Sequence, residues 1–238
     1  MATMKSIRTR STLRDILEGQ PQHLGLIVFL VLGAGALVIP NFHVRPTFLG
    51  FPMRGWTGVS IGLAILHQVL VAIVFRLQLH RNLLTRVLGE NDLRVWTVVF
   101  IPLLIARPIT VLIVGQMDTT STGAPQWLNW GLGVAFVGVA IYGMHSVLRY
   151  FTIRRAVGGD HFREEIAAMP LVNEGVFKFT SNAMYGPIFL GLWGIALLCD
   201  SWNALVVAAF QHVYIWVHYY CTEKPDIEWI YGNRANTG

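Results

Sequence analysis

Charge is scarce in this chain. Only 13% of its 238 residues are Asp, Glu, Lys or Arg, about half the share of an ordinary soluble domain. Cysteine is scarcer still, with Cys199 and Cys221 alone. They fall near opposite ends of the last apolar hairpin, out of each other's reach, so no disulfide framework is expected. No Gly-x-Gly-x-x-Gly follows a strand-like run, and there is no P-loop, internal repeat or low-complexity tract. Soluble dinucleotide and P-loop chemistry is thereby set aside, and no metal site is assigned. The first twenty residues carry Lys5, Arg8, Arg10 and Arg14 but no short apolar run ending in a small-residue cleavage site. They read as a cytoplasmic tail and not as a signal peptide.

Apolar residues are plentiful, at 54% of the chain, and the mean hydropathy is +0.52. Six apolar stretches stand out, near 24–40, 57–75, 95–115, 129–148, 184–199 and 202–221. Each is near the length that crosses a bilayer as a helix, the first and fifth only with interfacial residues added. The runs lack two-residue alternation, which favours helices over a barrel. The expected fold is an all-α polytopic bundle of about six transmembrane helices forming one membrane domain. Residues 1–128 supply three spans, and 129–238 a catalytic half made of loop, hairpin and tail.

Basic residues orient it. Lys5, Arg8, Arg10 and Arg14 precede span one. Arg76, Arg81, Arg86 and Arg94 follow span two, and Arg149, Arg154, Arg155, Arg163 and Lys178 follow span four. Lys224 and Arg234 lie in the tail, while the opposite side has only Arg45 and Arg54. The excess marks the cytoplasmic side and puts both termini there. Anionic lipid accounts for the net charge of +5 without any nucleic acid.

Polar residues inside spans are costly and point to function. Tyr142, His145 and Arg149 share a helix face at the end of span four, and Gln211, Tyr214 and His218 do so in span six. Both stripes approach the cytoplasmic side, which suggests a cavity between them. Arg107 precedes Pro108 in span three. It either lines a substrate path, caps carbonyls freed by the proline or pairs with a neighbour. His67 and Gln68 read as hydrogen-bonding glue between helices.

Three segments flank the last hairpin: GGDHFREE (158–165), GVFKFTSNAMYGP (175–187) and TEKPDIEWIYG (222–232). In this order they resemble the integral-membrane methyltransferases, a group that includes phosphatidylethanolamine N-methyltransferases and isoprenylcysteine carboxyl methyltransferases. Gly175, Phe177, Asn182 and Tyr185 match the family's loop. Asn182-Ala183-Met184-Tyr185 and Gly159-Asp160-His161-Phe162 are closest to the phospholipid branch. Glu223, followed by Tyr231-Gly232, matches the tail. Ser181, Ala183 and Lys224 depart from the usual Arg, Pro and second Glu. The resemblance covers the C-terminal half.

What it implies is S-adenosylmethionine held in a cytoplasm-facing pocket and a lipid-like acceptor entering from the bilayer. Glu223 suits the cofactor's ammonium. Asn182, Tyr185 or backbone N–H groups suit its carboxylate. Phe177, Phe179 or Tyr219 suit adenine, aromatic faces suit the sulfonium, and Gly175 allows close backbone approach. An amine acceptor must lose a proton, for which His218 and His161 are the candidates ahead of Glu164 and Glu165. Tyr142, His145 and Arg107 are the candidates for substrate contact. Phosphatidylethanolamine or its partly methylated forms fit best as acceptor, ahead of a prenylcysteine carboxylate or a small thiol. The rival readings are an NADPH-dependent sterol-type reductase and a non-catalytic scaffold or transporter.

Overall fold

The computed structural model describes residues 3–40 and 47–232; Arg45 and Arg234 of the charge count lie outside them. Eight helices carry the architecture. They are α1 (Met4–Arg10), α2 (Gln20–Leu37), α3 (Met53–Arg81), α4 (Asp92–Met117), α5 (Gln126–Ser146), α6 (Leu190–Leu198), α7 (Trp202–His218) and α8 (Lys224–Tyr231). Short helical turns fill the loops, and a two-residue β ribbon pairs Thr47–Phe48 with Phe51–Pro52 ahead of α3. The protein is thus all-α, as its apolar runs predict.

The helices containing α2, α3, α4 and α5 are each long and apolar enough to cross a membrane. Their outward surfaces fit that reading. Leu24, Val28, Phe29 and Leu32 of α2 stand largely exposed, a greasy surface that water would not tolerate but lipid would. The fifth apolar stretch behaves differently from expectation. Its first six residues, 184–189, are turns, and the helix proper has only nine residues. The hairpin nevertheless traverses the bundle. Tyr185 lies beside Glu223 at one face, and Cys199 lies against Gln116 at the other.

Each face is tied by polar contacts. At one, Asp118 accepts from Ser201 Oγ at 2.7 Å and from the Asn203 amide N–H at 2.9 Å. Asp200 accepts from Thr122 Oγ1 at 2.7 Å and from Asn129 Nδ2 at 2.8 Å. These bonds fix the tight α6–α7 turn. At the other face, α1, the end of α3, the 158–165 loop and α8 meet. Ser11 Oγ lies 2.7 Å from His80 Nδ1, and the Met4 N–H donates to Glu164. The first and last described helices, α1 and α8, therefore sit on one face, in keeping with the charge count. Both cysteines are free.

Glycine sets the closest contacts. A Cβ on Gly133 would fall 2.7 Å from Leu198 and one on Gly194 2.8 Å from the Gly133 carbonyl, so α5 and α6 meet nearly backbone to backbone, the usual device of helices packed in lipid. Gly158 has φ +80°, and a Cβ there would sit 2.1 Å from the Phe75 ring. This position brings the 158–165 loop onto α3.

Candidate functional site: a membrane-facing cavity

A cavity of about 440 Å³ opens inside the bundle. Its walls come from α3 (His67, Phe75), α4 (Phe100, Leu104, Arg107), the end of α5 (Met144, Leu148), the two loops, and the end of α7 (Tyr219, Glu223). Two π-helical turns shape the rim, Val147–Phe151 after α5 and Tyr219–Glu223 after α7. The wider turn is a common device at functional sites. Here it lets Phe151 and Glu223 line the cavity. Helices α4 and α5 barely touch each other, because both pack on α6. Ile105, Met144 and Leu148 line the cavity and are also exposed on the outer surface. The gap between α4 and α5 is therefore a side opening toward lipid.

The loop end of the cavity is acidic. Tyr185 donates its hydroxyl to one Glu223 oxygen in a short hydrogen bond. The other oxygen lies 3.4 Å from His218 Nε2. Asp160 and His161 lie on the same wall, with Asn182, Ser181 and Phe177. Phe177 stacks on Phe151 with ring centroids 5.4 Å apart, and the Arg155 guanidinium lies 4.7 Å from the Phe151 ring.

His161 is built into a charge network. Its Nδ1 lies 3.0 Å from Asp160 and its Nε2 3.2 Å from Asp226, while its ring stacks on Phe75 at 4.1 Å. Burial favours the neutral ring, but the two carboxylates outweigh it and push the pKa up to about 10. Burial likewise raises Asp160, and His161 and Tyr231 outweigh it and hold its carboxyl low. Both ring nitrogens must donate to satisfy two acceptors. His161 therefore has no lone pair to offer, and the role of base expected from the sequence is withdrawn. Arg76 completes the network. It donates to the carbonyls of Asp15, Glu18, Cys221 and Thr222 and pairs with Asp226 at 3.1 Å.

Of the residues singled out in the sequence, Phe177, Asn182, Tyr185, Glu223, His161 and Arg107 line this one cavity. His218 is fully buried behind Glu223. Gly175 does not line it. With φ +59°, it turns the chain against α5, where a Cβ would meet Ser146 Oγ at 2.5 Å, so the close approach is to helix and not to cofactor. Tyr142 and His145 are not in the cavity either. Both are exposed on the outer side of α5, because Gly133, Gly143 and Ser146 take the inward face. Phe179 is 81% exposed and leaves the aromatic wall to Phe177 and Tyr219.

The expectation for His67 also changes. It lines the cavity with both ring nitrogens unpartnered, so it glues no helices. Arg107 caps no proline-freed carbonyl, since its Nε donates to Gln211 at 2.9 Å. Sequence reasoning missed Arg76 and Asp226 as a site-building pair. The only trace was a set of polar residues, Arg76, Gln78 and His80, continuing an apolar run past span length.

Comparison with known proteins bears on the same segment. Residues 128–234 match the phospholipid methyltransferase family. Three similar relatives are each called phosphatidylethanolamine N-methyltransferase. That of Meyerozyma guilliermondii is 35% identical over 51% of this chain and 14% of its own length. That of Lodderomyces elongisporus is 28% identical over 50% and 14%. That of Saccharomyces cerevisiae is 27% identical over 62% and 17%. The chain thus spans less than a fifth of the length of these relatives. No solved structure matches. Residues 128–234, which bring Asn182, Tyr185 and Glu223 to the cavity, are thus the part of this chain that is similar to the phospholipid methyltransferase family.

Proposed function

We propose that the chain is an integral-membrane methyltransferase that uses S-adenosylmethionine and methylates the amine headgroup of phosphatidylethanolamine or its partly methylated forms. The observation that carries this is the Tyr185–Glu223 pair at the acidic loop end of a cavity whose side opens to lipid. When bound, the cofactor supplies an electrophilic methyl group on a sulfonium.

The donor set fits that cofactor. Glu223, oriented by Tyr185, is an acceptor for its ammonium. Asn182 and Arg155 on the same wall are donors for its carboxylate. Phe177 and Tyr219 offer flat faces to adenine and to the sulfonium charge. The apolar walls exclude water, which keeps the reacting groups aligned and the charges strong. An amine must be neutral to act as a nucleophile. His218 has neither ring nitrogen hydrogen-bonded, so of the two histidines expected as bases it is the one able to accept a proton, and it does so through the Glu223 carboxylate. The excess of basic residues at the loop face supports a cofactor entrance on the cytoplasmic side.

Binding of S-adenosylmethionine to the purified protein in detergent tests this, with NADPH as control. Saturable binding of S-adenosylmethionine is expected, together with transfer of labelled methyl to dioleoylphosphatidylethanolamine. Binding of NADPH alone would overturn the reading.

A further inference from the structure

The acidic end explains half of the cavity. The other end holds two buried nitrogen-bearing side chains that the site described so far does not use. Arg107 is 2% exposed and His67 is 1% exposed. They stand on facing helices, α4 and α3, and line the same cavity. Arg107 Nε is satisfied by Gln211, which in turn donates to Ser60 Oγ at 3.1 Å, and Ser60 bonds Thr110 at 2.8 Å. That chain is neutral throughout. It aims the guanidinium but does not balance its charge. The Phe189 ring, 4.9 Å from the guanidinium carbon, limits its tilt. Nη2 is left without any partner, as are both nitrogens of His67. His67 is held only by an edge-on contact with Phe100 at 4.7 Å. Among the described residues, no carboxylate pairs with Arg107.

A guanidinium withdrawn from water without a counterion is strongly unfavourable. Its presence in the wall of a cavity calls for an anion as its partner. We propose that Arg107 and His67 form a phosphate subsite that takes the phosphodiester of the acceptor lipid; this rests on the methyltransferase reading above. The charge matches, since a diester carries one negative charge and is met by one guanidinium and one neutral imidazole donor. The surroundings match as well. Leu104, Ile105, Met144 and Leu148 beside Arg107 are aliphatic and border the side opening, where acyl chains would pass.

The cofactor's own carboxylate is the rival anion, and position argues against it. Gln211, which holds Arg107, precedes Glu223 along α7 and its π turn by about three turns, roughly 18 Å at 1.5 Å per residue. In the cofactor, ammonium and carboxylate sit on one carbon, so an ammonium at Glu223 keeps its carboxylate near the loop. An ammonium at Glu223 would leave the cofactor's methyl group between the two ends, so a zwitterionic headgroup fits the remainder, with its phosphate at Arg107 and its amine toward that methyl. The cavity is thus polarised in the same sense as its substrate.

The test compares the wild type with Arg107→Gln, Arg107→Lys and His67→Phe. Three quantities are measured in detergent micelles: the Kd for S-adenosylmethionine, the KM for dioleoylphosphatidylethanolamine, and the rise in Tm on adding that lipid as against dioleoylglycerol, which lacks the phosphate. For Arg107→Gln, the expected outcome is a cofactor Kd within twofold of wild type, a KM raised tenfold or more, and no lipid-dependent rise in Tm. Arg107→Lys should recover part of the KM, and His67→Phe should raise it about threefold. An unchanged KM in folded Arg107→Gln overturns the subsite. So does loss of cofactor affinity in that variant, which would assign the anion to the cofactor. If the wild type binds no S-adenosylmethionine, the functional reading fails instead. The Tm comparison between the two lipids still decides the phosphate subsite, because it needs no turnover.

Discussion

Among the described residues two arginines are buried, and they are buried in opposite ways. Arg76 reaches four backbone carbonyls and the Asp226 carboxylate, and only its Nε lacks a partner. Arg107, in the cavity wall, has one neutral acceptor and an unpartnered Nη2. The first is a charge whose partners were all brought by the fold. The second is a charge whose partner the fold did not bring. Burial alone does not separate a structural residue from a binding one, and both are 2% exposed. What separates them is whether the fold supplies a countercharge. The same division runs through the molecule. The Arg76–Asp226–His161–Asp160 network carries its own opposite charges, whereas among the described residues Arg107 has no carboxylate beside it and the ring nitrogens of His67 and His218 are not hydrogen-bonded.

The sharpest way to break this comparison is to remove each arginine in turn. Arg76→Met takes the guanidinium from buried Asp226, leaving it only the hydrogen bond from His161, and removes a donor from the Cys221 and Thr222 carbonyls. Breaking a buried pair from one side costs about 3–5 kcal/mol, so the purified variant should melt far below wild type or fail to accumulate. Arg107→Met strands no carboxylate, so its Tm in lipid-free detergent should equal or exceed that of wild type. Equal losses of Tm in both variants would erase the distinction.

Acid–base behaviour probes the charge-paired network next. His161 has its pKa raised to about 10, against about 6.5 in an unfolded chain. Its contribution is therefore complete below about pH 6.5 and is lost as pH rises toward 10. The loss is at most about 1.4 kcal/mol per pH unit. The lowered Asp160 carboxyl acts in the opposite sense: its contribution is present above about pH 4 and is lost as pH falls further. A Tm profile in detergent should be highest between these limits and decline through pH 7–10. His161→Gln should flatten that alkaline decline, and a decline of undiminished slope in this variant would show that another group carries it.

The cavity residues predict the reverse pattern, with function lost and stability kept. Glu223→Gln retains an acceptor for Tyr185 but removes the charge that would hold an ammonium. Loss of one charge-assisted contact is worth about 1.5–3 kcal/mol, which is a 10- to 100-fold rise in the Kd for S-adenosylmethionine. Tm should move by only a few degrees. Unchanged affinity would take Glu223 out of the cofactor site.

How much of this was legible beforehand follows the same line. The helical bundle was written in run lengths and basic residues, since lipid leaves a spanning chain little choice but a helix. The C-terminal site residues were legible as local wording, and the fold brings Asn182, Tyr185 and Glu223 together. Pairings across the chain were not legible. Nothing near Arg76 in the sequence signals that Asp226 and the 221–222 carbonyls will surround it. The same holds for His161, whose second carboxylate arrives from α8. The helix start in the fifth stretch was misplaced because hydropathy sees Met184 to Phe189 as apolar and is blind to turns. The polar stripe on α5 failed for a further reason. Helical spacing groups Tyr142, His145 and Arg149 correctly but does not say which way the group faces.

That last error supplies the mildest test. If α5 turns its glycine face inward, as the Gly133–Gly194 contact requires, Tyr142 and His145 look out toward lipid headgroups. Amphipathic side chains at that depth act as interfacial anchors, and each contributes little alone. Tyr142→Phe and His145→Ala should therefore leave KM and the cofactor Kd within twofold of wild type and Tm within a degree or two. Leu148→Trp offers the contrast. It sits on the same helix one turn on, but it borders the side opening. A bulky ring there should raise the lipid KM several-fold by narrowing the passage while leaving the cofactor Kd unchanged. If the outward pair proved sensitive and Leu148 indifferent, the lipid would be entering by a face of α5 other than its gap with α4.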